Sequence, residues 1–160
     1  MSIEAAPISI REARPHEAEH LSGLALRSKG HWGYSEAFLA ACAAELTIHP
    51  QQIEGEQMDV VVAERSGKIA GFYALAPVSA SAFELHALFV EPQHIGSGIG
   101  RVLLEHALAL VATRSGTTLL IQGDPHAEEF YLAAGARLIG SRESGSIAGR
   151  LLPMYEIAIR

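Results

Sequence analysis

Hydrophobic and polar positions along the 160-residue chain change period several times, and each change marks an element. Ile8-Ser9-Ile10-Arg11 alternates with period two and predicts a short strand. Pro15 opens a helix to about Ser28, with Ala18, Leu21, Leu24 and Ala25 on one face. Residues 29–34 read as a loop. Ser35 caps a second helix, with Phe38, Leu39, Cys42 and Leu46 at helical spacing. Residues 47–58 are polar and read as a second loop. Asp59–Arg65 and Lys68–Leu75 are strands around Ser66-Gly67, a two-residue hairpin signal. Pro77–Ser81 turns into a third strand, Ala82–Val90, completing an antiparallel meander.

The period then lengthens to 3.6. Ile99, Val102, Leu103, Ala107, Leu110 and Val111 predict a helix from about Gly98 to Arg114. Leu104 and Leu108 make a second side of it apolar, so it is mostly buried. Thr117–Gln122 reads as a strand, Asp124–Ala134 as a helix ended by Gly135, and Ala136–Gly140 as a strand. Residues 141–153 form a Ser/Gly/Arg-rich loop before a last strand, Met154–Ile159. The order β-α-α-β-β-β-α-β-α-β-β predicts an α/β fold: a mixed, mostly antiparallel central sheet flanked by helices. Without repeats or linkers, residues 1–160 are expected to form one domain.

Composition narrows the function classes. Hydrophobic residues make up 49% and charged residues 19%, which suits a packed core and excludes disorder. Twelve basic against eighteen acidic residues give a net charge of −6. With no basic cluster, nucleic acid and anionic membranes are not expected partners. No apolar run is long enough to span a bilayer. Met1-Ser2-Ile3-Glu4 lacks the basic start and apolar run of a secretory signal, so a cytoplasmic location is expected. Cys42, the single cysteine, excludes an internal disulfide and is expected in the core of the second helix. His16-Glu17-Ala18-Glu19-His20 matches a zinc-protease string, but both histidines lie more than about 100° from the apolar face of their helix. They should face solvent, and no metal is expected.

The chemistry concentrates at Val90-Glu91-Pro92-Gln93-His94-Ile95-Gly96-Ser97-Gly98-Ile99-Gly100-Arg101, which joins a strand to the buried helix. Glycine leaves room for an anion to approach the backbone. The first-turn N–H groups have no partners within the helix. The helix dipole adds roughly half a positive charge there. A pyrophosphate site needs all three. Two common phosphate motifs are absent: Arg101 and Val102 stand where G-x-x-x-x-G-K-[ST] needs Lys and Ser/Thr, and reading G-x-G-x-x-G from Gly96 ends on Arg101.

Gln93-x-x-Gly96-x-Gly98, after a strand ending Leu88-Phe89-Val90-x-Pro92, resembles the acyl-CoA signature of the GNAT N-acetyltransferase superfamily. The segment Asp124-Pro125-His126-Ala127-Glu128-Glu129-Phe130-Tyr131, followed by Ala134-Gly135-Ala136, is similar to the family's later helix. The close resemblance covers residues 82–135. His31-Trp32-Gly33-Tyr34 and Gly149-Arg150-Leu151-Leu152-Pro153 further resemble bacterial members.

The resemblance implies acetyl-CoA as co-substrate, without a metal, and direct transfer of the acetyl group to a primary amine of a small molecule or protein. It implies that the backbone of Leu88, Phe89 and Val90 holds the pantetheine arm and the acyl carbonyl. The turn from Gln93, His94, Ile95, Gly96, Ser97 and Gly98 through Ile99, Gly100 and Arg101 would hold the pyrophosphate. Asp124, Ala127, Phe130 and Tyr131 would lie along the pantetheine. Many members carry Asn where Asp124 stands; before Pro125, Asp124 reads as a helix N-cap. A homodimer is a further expectation of the resemblance.

Magnitudes rank the catalytic roles. Freeing an alkylamine of pKa about 10.4 at neutral pH costs about 4–5 kcal/mol, whereas a thiol of pKa about 8.5 needs only about 2. The base, or a site that selects the neutral amine, should therefore matter more than the acid. The resemblance makes Tyr131 the acid aimed at the departing sulfur. Glu84 is the first candidate base, on the strand that presents the acyl group, and His86 is the alternative. Period-two alternation predicts that Glu84, His86 and Leu88 share a face. The loop carrying His31, Trp32 and Tyr34 borders the acceptor site in the family, and Arg150 is a further candidate there. The sequence leaves the acceptor open, and a non-catalytic acyl-CoA sensor is the alternative class.

Overall fold

The computed structural model describes residues 6–159. Met1–Glu4, whose composition carries the cytoplasmic expectation, lie outside the described residues. The strands are β1 (Ile8–Glu12), β2 (Asp59–Arg65), β3 (Lys68–Pro77), β4 (Ala82–Val90), β5 (Thr118–Gln122), β6 (Arg137–Glu143) and β7 (Leu151–Ala158). They form one sheet in the order β1-β2-β3-β4-β5-β7-β6. Every neighbouring pair is antiparallel except β4 and β5, which run parallel. The helices are α1 (Ala18–Gly30), α2 (Glu36–Leu46), α3 (Pro50–Glu54), α4 (Ile99–Thr113) and α5 (Glu128–Ala133). Short 3-10 turns at Pro15–Glu17 and Pro125–Ala127 lead into α1 and α5.

Local chemistry explains most of these boundaries. Ser35 accepts the Phe38 N–H at 3.1 Å and starts α2. Ser66 and Gly67 both take positive φ, 56° and 75°, the turn that matches strand twist in a two-residue hairpin. The sequence reading missed α3, because Pro-Gln-Gln-Ile-Glu has a single apolar residue. A reciprocal cap builds it instead: the His49 N–H donates to Gln52 Oε1 at 2.8 Å, and Ile53 packs on the core. The β6–β7 hairpin also extends into residues expected to be loop, pairing Arg142 with Leu152 and Glu143 with Leu151. β6 is an edge strand exposed along its whole length, so it carries no alternation to read.

The sheet separates two apolar layers. On one face α4 buries Ile99, Leu103, Leu104 and Ala107 against Tyr73, Leu75, Phe83 and Leu85. On the other, Leu21 and Leu24 of α1 pack on Val60, Val62, Phe72 and Ala74. Both leucines are fully buried, each stabilising the fold by roughly 1.5–3 kcal/mol. His16 and His20, by contrast, are exposed, as their angular position predicts.

Two irregularities of β4 position the site. Its parallel pairing with β5 ends at Leu85 opposite Ile121, so residues 86–90 run on without a partner on that side. Against β3, Ala74 pairs with Ala87 but Leu75 pairs with Leu85, leaving His86 as an inserted bulge residue. The bulge re-phases the strand. Phe83, Leu85, Leu88 and Val90 face α4, whereas Ala87 and Phe89 pack on the α1 side. The expectation that Glu84, His86 and Leu88 share a face is therefore corrected: Leu88 points the other way, because the bulge breaks the period of two.

Candidate active site

The divergence of β4 from β5 opens a cleft of about 440 Å³. His86, Ala87, Leu88, Phe89 and Val90 form one wall, and Gln122, Gly123, Ala127, Phe130 and Tyr131 form the other. Apart from the Val90 N–H, which donates to Ser28 Oγ at 3.4 Å, the N–H and C=O groups along the β5-facing side of residues 86–90 have no partner strand and present a ready edge for an extended ligand with amides of its own.

The turn into α4 closes one end. Gly96 and Gly98 take φ of +84° and +91°, and a Cβ at either would meet open space. Their demand is conformational, since other L-residues strain there. Gly98 is the N-cap of α4 and supplies no side-chain cap. Among the described residues, the N–H groups of Gly96, Gly98, Ile99, Gly100 and Arg101 find no acceptor; the helix ladder begins with Val102 N–H donating to Gly98 at 3.1 Å. A Cβ on Gly100 would come within 3.3 Å of the Phe130 ring, so this glycine brings α4 close to α5. His94, Ile95 and Arg101 also border the cleft. Gln93, Ser97 and Ile99 do not: Gln93 lines a separate polar hollow, and the Ile99 side chain is fully buried beneath α4.

Tyr131 sits on the opposite wall, 6% exposed, its ring 5.6 Å from that of Tyr155. Burial pushes its phenol well above the usual range, and the nearby Tyr155 and Asp124 push in the same direction. It holds its proton at neutral pH.

The two base candidates are separated. His86 lines the cleft, with its side chain about half exposed. Glu84 is 8% exposed and is not part of the cleft wall. Arg142 of β6 grips it with Nη2 at 2.9 Å, and His86 Nδ1 stands 3.6 Å from its other oxygen. Arg142 also donates to Gln122 at 3.2 Å. Nothing local in the sequence marked Arg142, which lies 58 residues from Glu84.

At the other end of the cleft, four residues converge on Asp124. Its carboxylate accepts from Lys29 Nζ at 3.1 Å, Tyr34 Oη at 2.9 Å, and His126 through the backbone N–H at 2.9 Å and the ring at 2.8 Å. The N-cap reading is therefore right but incomplete. Burial alone would raise this carboxyl; the His126 hydrogen bonds and the Lys29 charge outweigh burial and bring it down to about 2. Arg150 Nη2 donates to Tyr34 Oη at 2.8 Å and stands 3.7 Å from Asp124. Burial, then the hydrogen bond to Asp124, pushes the Tyr34 phenol up to about 12. Trp32 stacks on the His126 ring at 5.3 Å. Trp32 and Arg150 reach the cleft; Tyr34 acts from behind them, and His31 lies outside the cleft wall with its ring edge-on to Trp32. Lys29 and His126 were not among the sequence candidates. Cys42 is buried as expected, yet it lines the cleft and belongs to neither apolar layer.

A family model described as an acetyltransferase (GNAT) domain matches residues 16–154. The peptidyl-lysine N-acetyltransferase YjaB of Escherichia coli (strain K12) is 30% identical over 152 residues, covering 94% of this chain and 96% of its own. The 5-NmdU N-acetyltransferase of Pseudomonas phage PaMx11 is 28% identical over 153 residues, 93% of this chain and 98% of its own. Among solved structures, PaiA N-acetyltransferase from Thermoplasma acidophilum in complex with coenzyme A superposes with a TM-score of 0.76 at 18% identity, over 95% of this chain and 99% of that one.

Proposed function

The chain belongs to the GNAT family of N-acetyltransferases, and from that premise we propose that its cleft moves an acetyl group from acetyl-CoA to a primary amine of an acceptor. One observation carries the reading: the open, amide-lined turn at Gly96–Arg101, the unpaired edge of β4 and the protonated Tyr131 phenol border a single cleft.

These residues fit the co-substrate. Five unpartnered amides at the start of α4 suit a pyrophosphate, and the absence of a Cβ at Gly96 and Gly98 keeps the approach open. The edge at residues 86–90 suits the amides of a pantetheine arm, with Ala127 and Phe130 as an apolar wall. Bound acetyl-CoA supplies an activated thioester carbonyl. Tyr131 donates a proton toward the departing sulfur, a role its raised pKa supports. His86 takes a proton from the amine, because it alone of the two candidates borders the cleft. Glu84, neutralised by Arg142, positions the His86 ring from behind. The order of the two base candidates is thus the reverse of the one the sequence suggested.

The proposed setting is the cytoplasm; no helix among the described residues is long and apolar enough to cross a membrane. The proposed assembly is a homodimer, supported by the exposed β6 edge with Leu138 and Ile139 about half exposed. Calorimetric titration with acetyl-CoA, followed by thiol release with a panel of amines, tests the function. Saturable binding and amine-dependent release are expected. No binding heat and no release would overturn it.

A further inference from the structure

The Asp124 cluster is out of charge balance. Lys29 and Arg150 both converge on this one carboxylate, and their side chains are only 11% and 18% exposed. Among the described residues, the only other carboxylate lining the cleft, that of Glu45, is hydrogen-bonded to Ser146 and pairs with neither cation. Asp124 has no capacity left, since its two oxygens already receive Lys29, Tyr34 and both His126 donors. Arg150 meanwhile makes one hydrogen bond, from Nη2 to the neutral Tyr34 phenol. Its Nε and Nη1 donors have no acceptor among the described residues. They are not sealed in either, because the one described side-chain atom that is both buried and unpartnered is Tyr155 Oη. Arg150 therefore lines the cleft with an unused donor edge.

That edge is also held rigid. The guanidinium carbon lies 4.8 Å from the centre of the Phe38 ring and 5.3 Å from that of Tyr34. A fixed guanidinium with a free fork is the geometry that takes a carboxylate through two parallel hydrogen bonds. A carboxylate there would also restore neutrality to the two cations.

We propose that Arg150, held by Phe38 and Tyr34 and flanked by Lys29, is a carboxylate-binding site at the acceptor end of the cleft, so that the acceptor is a small amine that also carries a carboxylate. The small size follows from the position: cations less than one-fifth exposed inside a cleft of about 440 Å³ are reached by a compact ligand, not by a flat protein surface. The inference rests on the acetyltransferase reading of the same cleft.

The experiment separates the two. Acetyl-CoA binding is measured first by calorimetry; its absence would sink the acetyltransferase reading by itself. Matched pairs of amines, each with a free carboxylate or the corresponding carboxamide, are then compared by thiol release and, with CoA present, by thermal stabilisation. Lysine-containing peptides are included. The wild type should favour the carboxylate member by about tenfold or more. Arg150→Gln should abolish that preference while leaving acetyl-CoA affinity unchanged, and Arg150→Lys should restore part of it. Equal treatment of each pair in both readouts overturns the proposal. So does a preference that survives Arg150→Gln, a loss of acetyl-CoA affinity in that variant, or turnover confined to the peptides.

Discussion

Replacing Asp124 by Asn isolates the charge of the buried cluster. Asn keeps the size of the side chain and remains a good N-cap, so the turn before α5 survives. What disappears is the negative charge beneath Lys29 and Arg150. The wild-type carboxyl sits at about 2 against an ordinary 3.8. At about 1.4 kcal/mol per pH unit, that difference amounts to roughly 2–3 kcal/mol of stability. The group is 17% exposed in its side chain, so solvent screening removes little of it. A depressed carboxyl stabilises the fold above its unfolded value, and that contribution fades as the pH falls from about 4 to about 2. At pH 7 Asp124→Asn should therefore unfold about 4–12 °C earlier than the wild type. The gap should narrow in acid. Thermal and urea unfolding across pH 7 to 3 measure the gap, and the wild-type carboxyl carbon followed by NMR gives the midpoint directly. A midpoint at or above 3.8, or equal stability of the two proteins at pH 7, would refute the reasoning.

Further outcomes follow from the same geometry. Tyr131→Phe should lower kcat by about a hundredfold or more. Its phenol makes no hydrogen bond to the described protein, so the melting temperature should hardly move; an unchanged kcat when chemistry limits the rate excludes the acid role. Because burial raises that phenol, kcat should show no loss from this group up to pH 10, and an alkaline limb that vanishes in Tyr131→Phe with a midpoint below 10 would contradict it. Gly98→Val forces a branched residue to φ of +91°, so a loss of about 1–2 kcal/mol in urea unfolding and a raised KM for acetyl-CoA are expected; wild-type values for both would show that the turn needs no glycine. His86→Gln should reduce kcat far more than Glu84→Gln, as steady-state kinetics would show, and the reverse order would return the base role to Glu84.

The contrast between the Gly96–Arg101 turn and the rest of the cleft shows where sequence is informative. The turn was legible because its chemistry is local: glycine spacing, an uncapped helix start and a preceding strand lie within a dozen residues. The meander and α4 were legible for a similar reason, since each carries its own period. Three things were hidden. The bulge at His86 leaves no composition signal, yet it decides which face Leu88 meets. The Arg142–Glu84 and Lys29–Asp124 pairs join residues 58 and 95 positions apart, and only the assembled sheet brings them together. Lys29 was placed in a loop because α1 runs one turn beyond its last apolar residue, ending in Ser28, Lys29 and Gly30, and that turn has no hydrophobic face to announce it.

The inserted residue in β4 makes that strand unequal in what it tolerates. Side-chain exchanges at 86–90 alter a wall of the cleft but not the unpaired main-chain edge, so the edge can persist while the walls diversify. Removing His86 altogether is a different event. The strand would close up to regular pairing with β3, and the five positions up to Val90 would have one residue fewer to span. Leu88 and Val90 would stay in the α4 layer and Phe89 opposite it, because the pairs Ala74–Ala87 and Leu75–Leu85 already flank the insertion; what would be lost is the bend that the extra residue gives β4 where it parts from β5, and with it the opening of the cleft. The length of this segment, more than the identity of its residues, is what relatives sharing this architecture should be unable to vary.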